Sequence, residues 1–293
     1  MTKTIAGFSK LTKKEKIDWL AKAFFTNPGE AKKTLKNYWN DDEQLQQLHD
    51  EFIENTVSNF YLPYGVAPNF IINDKEYVIP MAVEESSVVA AASLVAKFWS
   101  KRGGFRTEVI TTKKSGQVHF TYQGKYSDLK EYFVTKKEQL LEATNTITKN
   151  MRKRGGGILD IELRNKTQSL QNYYQLFVTF ETKDSMGANF INSCLEAIAK
   201  EFEKEGIDIV MSILSNYIPE CLVKAQVSCK IHELGDDAEE FVKKFYQAVQ
   251  IAEVEPYRAV THNKGIMNGI DAVILATGND FRAVEAGAHA FAS

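Results

Sequence analysis

Three short stretches of this chain combine residue types that can do chemistry. The first, Met81-Ala82-Val83-Glu84-Glu85-Ser86-Ser87-Val88-Val89, sets two adjacent carboxylates between an apolar strand and an apolar helix. Acids so placed can favour a helix start through its dipole. Alternatively, one carboxyl is partly buried, and desolvation raises its pKa far enough for general acid work, against the pull of that dipole. The second stretch runs from Tyr257-Arg258 through Thr261-His262-Asn263-Lys264-Gly265 to Asn268 and Asp271, then resumes at Ala276-Thr277-Gly278-Asn279-Asp280. Its Arg, Lys, Asn and Thr donors on glycine-rich backbone lie beside the apolar run Val273-Ile274-Leu275, read as a buried strand. That combination suits a carboxylate or a developing oxyanion, with a solvated loop as the plainer alternative. The third stretch, Asp184-Ser185-Met186-Gly187-Ala188-Asn189, opens a helix. Asp184 can cap it, and free backbone N–H groups there can receive a phosphate, although a simple helix start accounts for it equally.

Other reactive residues read as structural. His262 and His289 have no carboxylate or Cys at metal spacing, so no metal is expected. Cys194 lies on an apolar helical face and belongs in a core, and Lys13-Lys14-Glu15-Lys16 reads as a solvated helix face. The chain lacks G-x-G-x-x-G, a P-loop, G-x-S-x-G and H-E-x-x-H, which leaves a Rossmann nucleotide domain unsupported.

The elements that must position these residues follow from periodicity. Residues 8–55 read as helical, with Leu45, Leu48 and Phe52 on one stripe behind Asp41-Asp42-Glu43. Phe70-Ile71-Ile72, the turn Asn73-Asp74 and Tyr77-Val78-Ile79 form a hairpin that ends at Pro80. Ser86 or Ser87 caps a helix whose run Val88–Phe98 is apolar all round, the pattern of a helix buried in a large core. Beyond Lys101-Arg102-Gly103-Gly104 come Val109-Ile110 and a strand at Val118, Phe120 and Tyr122. Ser127 then caps a long helix to about Arg154, and Gly155-Gly156-Gly157 breaks it. Two alternating strands (Leu159 to Leu163 and Leu176 to Phe180) precede a helix from Gly187 and a last strand at Ile207 to Met211. From Val118 this is β-α-β-β-α-β, a ferredoxin-like split arrangement. A strand at Leu222 to Lys230 and a helix at about 236–254 follow. The reading is α+β: a large mixed α/β domain, residues 1–108 and 216–293, with a smaller non-Rossmann module inserted at 109–215.

Composition limits the function classes. Over 293 residues, Lys+Arg 36 against Asp+Glu 38 gives a net charge of -2, so bulk charge gives no reason to expect a nucleic-acid partner. No apolar run reaches the ~18 residues of a membrane span. Met1-Thr2-Lys3-Thr4-Ile5 leads into Lys-rich sequence without the apolar segment of a secretory signal. The 3 cysteines lack C-x-x-C spacing, as in a reducing cytosol. A cytoplasmic globular protein is expected.

Taken in order, Glu54-Asn55, Leu62-Pro63-Tyr64-Gly65-Val66-Ala67, Met81-Ala82-Val83-Glu84-Glu85, Asp184 to Asn189, Ile213-Leu214-Ser215-Asn216, Thr261 to Gly265 and Ala276 to Asp280 closely resemble the hydroxymethylglutaryl-CoA reductases, specifically the bacterial class II enzymes. The resemblance covers essentially the whole chain. It implies a ferredoxin-like cofactor module within a larger domain and reduction of hydroxymethylglutaryl-CoA to mevalonate and CoA by two hydrides from NAD(P)H. It implies Glu85 as the acid, Lys264 as the cation at the oxyanion and Asp280 as the group that couples them. Arg258 would pair with the substrate's free carboxylate, with Ser87, Asn216 and Asn268 nearby. Asp184, Met186, Gly187 and Asn189 would receive the dinucleotide. NADH-preferring members carry an acid near Thr148, so the neutral Thr148 and the nearby Arg152 point to NADPH, with NADH possible; a basic run at a helix C terminus has the same composition. Family members are dimers with the site at the subunit interface, so at least a homodimer is expected.

The resemblance also marks departures. Ser86 stands where many members have Pro. Members continue well beyond the position of Ser293, into a flap whose histidine is thought to protonate the departing CoA thiolate. The chain is therefore expected to be a fragment of a longer reductase, with a degenerate gene product or completion by a second chain as alternatives. The competing function is a non-catalytic acyl-CoA or nucleotide-binding remnant; a dehydrogenase for another acyl-CoA fits less well with Arg258 and Asn268.

Overall fold

The structure, a computed structural model, describes residues 4–204 and 206–293. Met1, Thr2 and Lys3, part of the stretch read for a signal, lie outside the described residues. The chain divides after Pro63 into two compact units.

The first unit holds α1 (Lys13–Phe24), α2 (Pro28–Asn37) and α3 (Glu43–Asp50). Each start is capped locally: Thr12 and Glu15 form a reciprocal capping box on α1, Asn27 caps α2 before Pro28, and the Asp42 carboxylate accepts the Gln44 and Leu45 amides of α3. Lys13 is not part of a solvated face. Its ammonium meets Asp50 at 2.6 Å and lies 4.0 Å from the Trp39 ring centre. On α3 the side chain that turns inward is Gln46, while Leu48 and Phe52 are exposed. Gln46 bonds Asp50 and the Asn40 amide, a polar network that takes the inner face from the leucine stripe.

The second unit starts with a hairpin of β1 (Tyr64–Ile72) and β2 (Lys75–Ala82), paired antiparallel. Asn73 and Asp74 both have positive φ, 50° and 66°, as a two-residue turn with the twist of its strands requires. Next come α4 (Val88–Ser100) and β3 (Arg106–Tyr122), a single 17-residue strand where two separate segments were expected. It is continuous because its two halves serve different partners: Arg106–Thr112 pairs with β7 (Cys221–Gln226), and residues 113–122 pair with strands of the main sheet. The long helix expected to 154 is two, α5 (Tyr126–Ala143) and α6 (Asn145–Lys153), which meet at the buried Thr144. Lys125 occupies the N-cap of α5, and Ser127 lies inside the first turn, bonded to Asp128.

β4 (Gly157–Asn165), β5 (Tyr173–Glu181), α7 (Ala188–Phe202) and β6 (Ile207–Leu214) complete the module. The strand order is β4-β5-β3-β6, antiparallel at every pairing. Each helical crossover thus skips one strand, the split β-α-β topology that the element order implied. Val118, Phe120, Leu176, Val178 and Phe180 point from the sheet into a core closed by Leu129, Leu140, Leu195 and Phe202 of the helices. Cys194 is buried in that core, as its apolar face suggested. The glycine break is sterically required: a Cβ on Gly156 would lie 2.5 Å from the Glu181 carbonyl and 3.0 Å from Met151.

The last part is α8 (Ala238–Val254), α9 (Pro256–Ala276) and α10 (Phe281–Ala292). Here the loop-and-strand expectation for 257–275 is wrong: the whole segment is one 21-residue helix. Glu255 caps it through the Arg258 amide, Pro256 starts it, and its inward residues, Met267 and Ala272, are too few to make a visible stripe. The apolar α4 also departs from expectation. Ala96 is its only fully buried residue, and Leu94 is 71% exposed. The core it joins is small: Ala67, Met81 and Ala272, with Val88, Val89 and Ala92 against them.

Candidate active site

α9 packs against β2, which brings the first two candidate stretches together. Lys264 Nζ on α9 donates to Glu85 Oε2 at 2.5 Å, across 179 residues of chain. Glu85 follows the hairpin and precedes the N-cap of α4, so it is neither a first-turn dipole partner nor a buried acid. Lys264 and Glu85 are 60% and 46% exposed. Ser87, two residues on, is the N-cap of α4 with φ 71° and makes no side-chain cap bond. Neighbouring surface on α9 is open, since a Cβ added at Gly265 or Gly269 would meet nothing within 4 Å. Arg258 and His262 are one turn apart on α9, with Nη2 and Nδ1 3.4 Å from each other.

The stretch Ala276 to Asp280 is a helix stop joined to a helix start. Gly278 has φ 68°, its N–H bonds the Leu275 carbonyl, and the Asn279 N–H bonds the Ile274 carbonyl. This Schellman pattern needs a residue tolerant of the left-handed region. Asp280 then caps α10, its Oδ1 accepting from the Ala283 amide at 3.2 Å and from Arg282. The structure therefore joins Glu85 to Lys264 but directs Asp280 Oδ1 to α10. For Asp271, which ends the run from Tyr257, sequence reasoning missed the burial. One of its oxygens is buried without a partner, and burial together with the neighbouring Glu285 carboxyl pushes it up to about 6, against an opposing pull from His289.

Asp280 also lines a cavity of about 470 Å³. The third candidate stretch lines it as well, through Asp184, Met186 and Ala188, and so does Asn216 after β6. Asp184 does not cap α7. Gly187 does, with φ 76° and no side-chain bond, because the turn closes so tightly that a Cβ there would lie 2.7 Å from Thr182. The first amides of α7 are thus left without a side-chain acceptor. Thr148 is fully buried with its hydroxyl on the Thr144 carbonyl, and Arg152 is exposed and bonded to Asn145. The periodicity of β3 carried a further signal: Lys114 falls in register with Gly116, Val118 and Phe120 on the core face of the sheet, an unusual place for a lysine.

A family model described as hydroxymethylglutaryl-coenzyme A reductase matches residues 12–293. The chain belongs to that family. Among reductases of known sequence, those of Archaeoglobus fulgidus and Borreliella burgdorferi (the latter described as probable) are each 36% identical, over 100% and 84% of this chain. The chain spans 66% and 57% of their lengths. Two solved structures of the Streptococcus pneumoniae reductase superpose on 99% of the chain and 78% of theirs. Their identities are 37% and 38%, with TM-scores of 0.79 and 0.78. The second is a class II reductase bound to NADPH in open conformations. The α+β fold and its split module are thus those of the reductase family.

Proposed function

We propose that this chain performs the two-step reduction of hydroxymethylglutaryl-CoA to mevalonate and CoA, using NADPH and, less well, NADH. The Lys264–Glu85 contact carries this reading: a cation and an acid from distant parts of the chain, joined at 2.5 Å on an open surface. The cavity suits part of the reduced dinucleotide. Its volume lies within the ~300–1,000 Å³ typical of ligand clefts, and its lining combines apolar side chains with Lys114, Asp184 and Ser185 next to α7, which starts without a side-chain cap. Asp184, Met186, Gly187 and Asn189 would receive the dinucleotide, with Thr148 and Arg152 toward the adenosine ribose; Arg152 fills that role better, since the Thr148 hydroxyl is spent inside α6.

When bound, the reduced nicotinamide supplies hydride. Lys264 then stabilises the charge that develops on the thioester oxygen, and Glu85 delivers a proton to the carbonyl oxygen in the aldehyde step. Asp280 couples the pair through Oδ2, which makes no hydrogen bond among the described residues. Arg258 pairs with the free carboxylate, and Ser87, Asn216 and Asn268 fix the acyl group, so the reacting carbon is held rather than searched for. An exposed ion pair contributes only about 0–1 kcal/mol, so the pair becomes effective as substrate displaces its water; a preorganised donor at an oxyanion is then worth about 3–4 kcal/mol. Within this reading residues 109–215 act as the cofactor module, and 1–108 with 216–293 as the CoA and substrate domain. The protein acts in the cytoplasm as a homodimer, consistent with the apolar surface left open on α4, and no helix among the described residues is long and apolar enough to cross a membrane.

The test is NADPH oxidation by the purified chain with hydroxymethylglutaryl-CoA and mevaldehyde offered separately. Oxidation with either substrate is expected, with mevaldehyde the faster because that step has no thiolate to protonate. A folded chain that oxidises NADPH with neither overturns the reading.

A further inference from the structure

The turn between β5 and α7 is held by one side chain from another strand. Lys114 Nζ donates to Thr182 Oγ1 at 2.6 Å and to the Ser185 carbonyl at 3.0 Å. Thr182 is fully buried and passes its own hydroxyl proton to that same carbonyl at 2.7 Å. Ser185 closes the ring, its hydroxyl donating to the Thr182 carbonyl at 2.7 Å. Every donor and acceptor in this clasp is engaged except on Lys114. An ammonium carries three N–H donors, and two are used. Among the described residues no carboxylate forms an ion pair with it. Lys114 also lines the 470 Å³ cavity, so its remaining donor is available there, and its charge is met only at longer range, by Glu181. The turn it clamps carries Met186 and Gly187 into α7, whose first amides lack a side-chain acceptor.

We infer that Lys114 is a positioning residue for the dinucleotide. It fixes the 182–187 turn so that the α7 amides face the cavity, and it adds a positive charge there for the ligand's pyrophosphate. This rests on the cofactor reading above and extends it to a residue from the opposite strand. A lysine serves a phosphate as a point charge, and an anion at a helix N terminus benefits from both the amides and the dipole.

The test compares Lys114→Met and Lys114→Arg in the 293-residue chain. NADPH binding is followed by the fluorescence of the reduced nicotinamide, with hydroxymethylglutaryl-CoA binding and the melting temperature as controls. Lys114→Met should weaken NADPH binding by at least about tenfold, a loss of about 1.4 kcal/mol, while acyl-CoA binding stays within about twofold. Lys114→Arg should restore most of the NADPH affinity, because charge and two donors are retained; a merely structural lysine would give no such rescue at constant melting temperature. The inference fails if Lys114→Met binds NADPH like the unmodified chain, if it weakens both ligands equally, or if Lys114→Arg gives no rescue. If the unmodified chain binds no dinucleotide at all, the cofactor reading falls, and this inference with it.

Discussion

Two regions of the second unit are built on opposite principles. In the β4-β5-β3-β6 module, the sheet face toward α5 and α7 is closed: Val118, Phe120, Leu176, Val178, Phe180, Leu195 and Phe202 are all at 0% exposure. In the layer formed by the β1–β2 hairpin, α4 and α9, only Ala67, Met81 and Ala272 form a buried cluster, and Leu94, Val78 and Val66 stand open. Apolar content does not explain this, since the open layer contains α4, the most apolar of these helices. The difference is geometric: a four-stranded sheet with two helices on one face encloses its own core, whereas one hairpin and two helices cannot. The first region holds itself together, and the second carries the chemistry on surface that a ligand or a second subunit must cover.

The sharpest way to break this comparison is a pair of truncations. Phe120→Ala should cost about 3–5 kcal/mol in urea unfolding, whereas Leu94→Ala, on the open layer, should change stability by less than about 0.5 kcal/mol at dilutions where the chain is monomeric. Equal costs would mean that α4 is covered in solution. Next in size is Lys264→Ala. It should slow hydride transfer by about 10²–10³-fold with no shift in melting temperature, since its ion pair is exposed; retained reduction would remove Lys264 from the oxyanion role. A smaller effect concerns Asp271. Its folded pKa is raised from 3.8 to about 6, so the stability it contributes is fully present below about 3.8 and is lost as pH rises through about 6. Asp271→Asn should therefore stabilise the chain at pH 7–8 and flatten melting temperature against pH between 4 and 6; an unchanged profile would show that burial and Glu285 do not raise the Asp271 carboxyl. The smallest effect is chemical. Burial pushes the Cys194 thiol up to about 12, so iodoacetamide at pH 8 should label Cys221 and Cys229 and leave Cys194 intact.

Legibility followed the same divide. The alternation of Val118, Phe120, Leu176 and Phe180 and the glycines at 155–157 were readable because a closed sheet imposes period 2 and a tight approach at Gly156 admits no side chain. The segment 257–275 was misread as loop and strand, because a helix with an open face keeps polar and glycine residues where periodicity would demand apolar ones. The same openness misled the reading of α4, whose apolar run is a property of what covers it rather than of where it sits in this chain. Lys114 stood in plain view at a core-facing register position, and its meaning depended on Thr182 and Ser185, two strands away in sequence.

The sequence by itself determined the family, the α+β class and the order of the split module, since local alternation, glycine stops and ordered motifs are properties of neighbouring residues. It also named Glu85, Lys264 and Asp280 as a set. Only the tertiary structure decided which of them meet. Helix packing on β2 sets Lys264 against Glu85, while the left-handed turn at Gly278 commits Asp280 Oδ1 to the cap of α10. That choice depends on backbone direction over a few residues and on packing across 179, and neither is encoded in residue type alone.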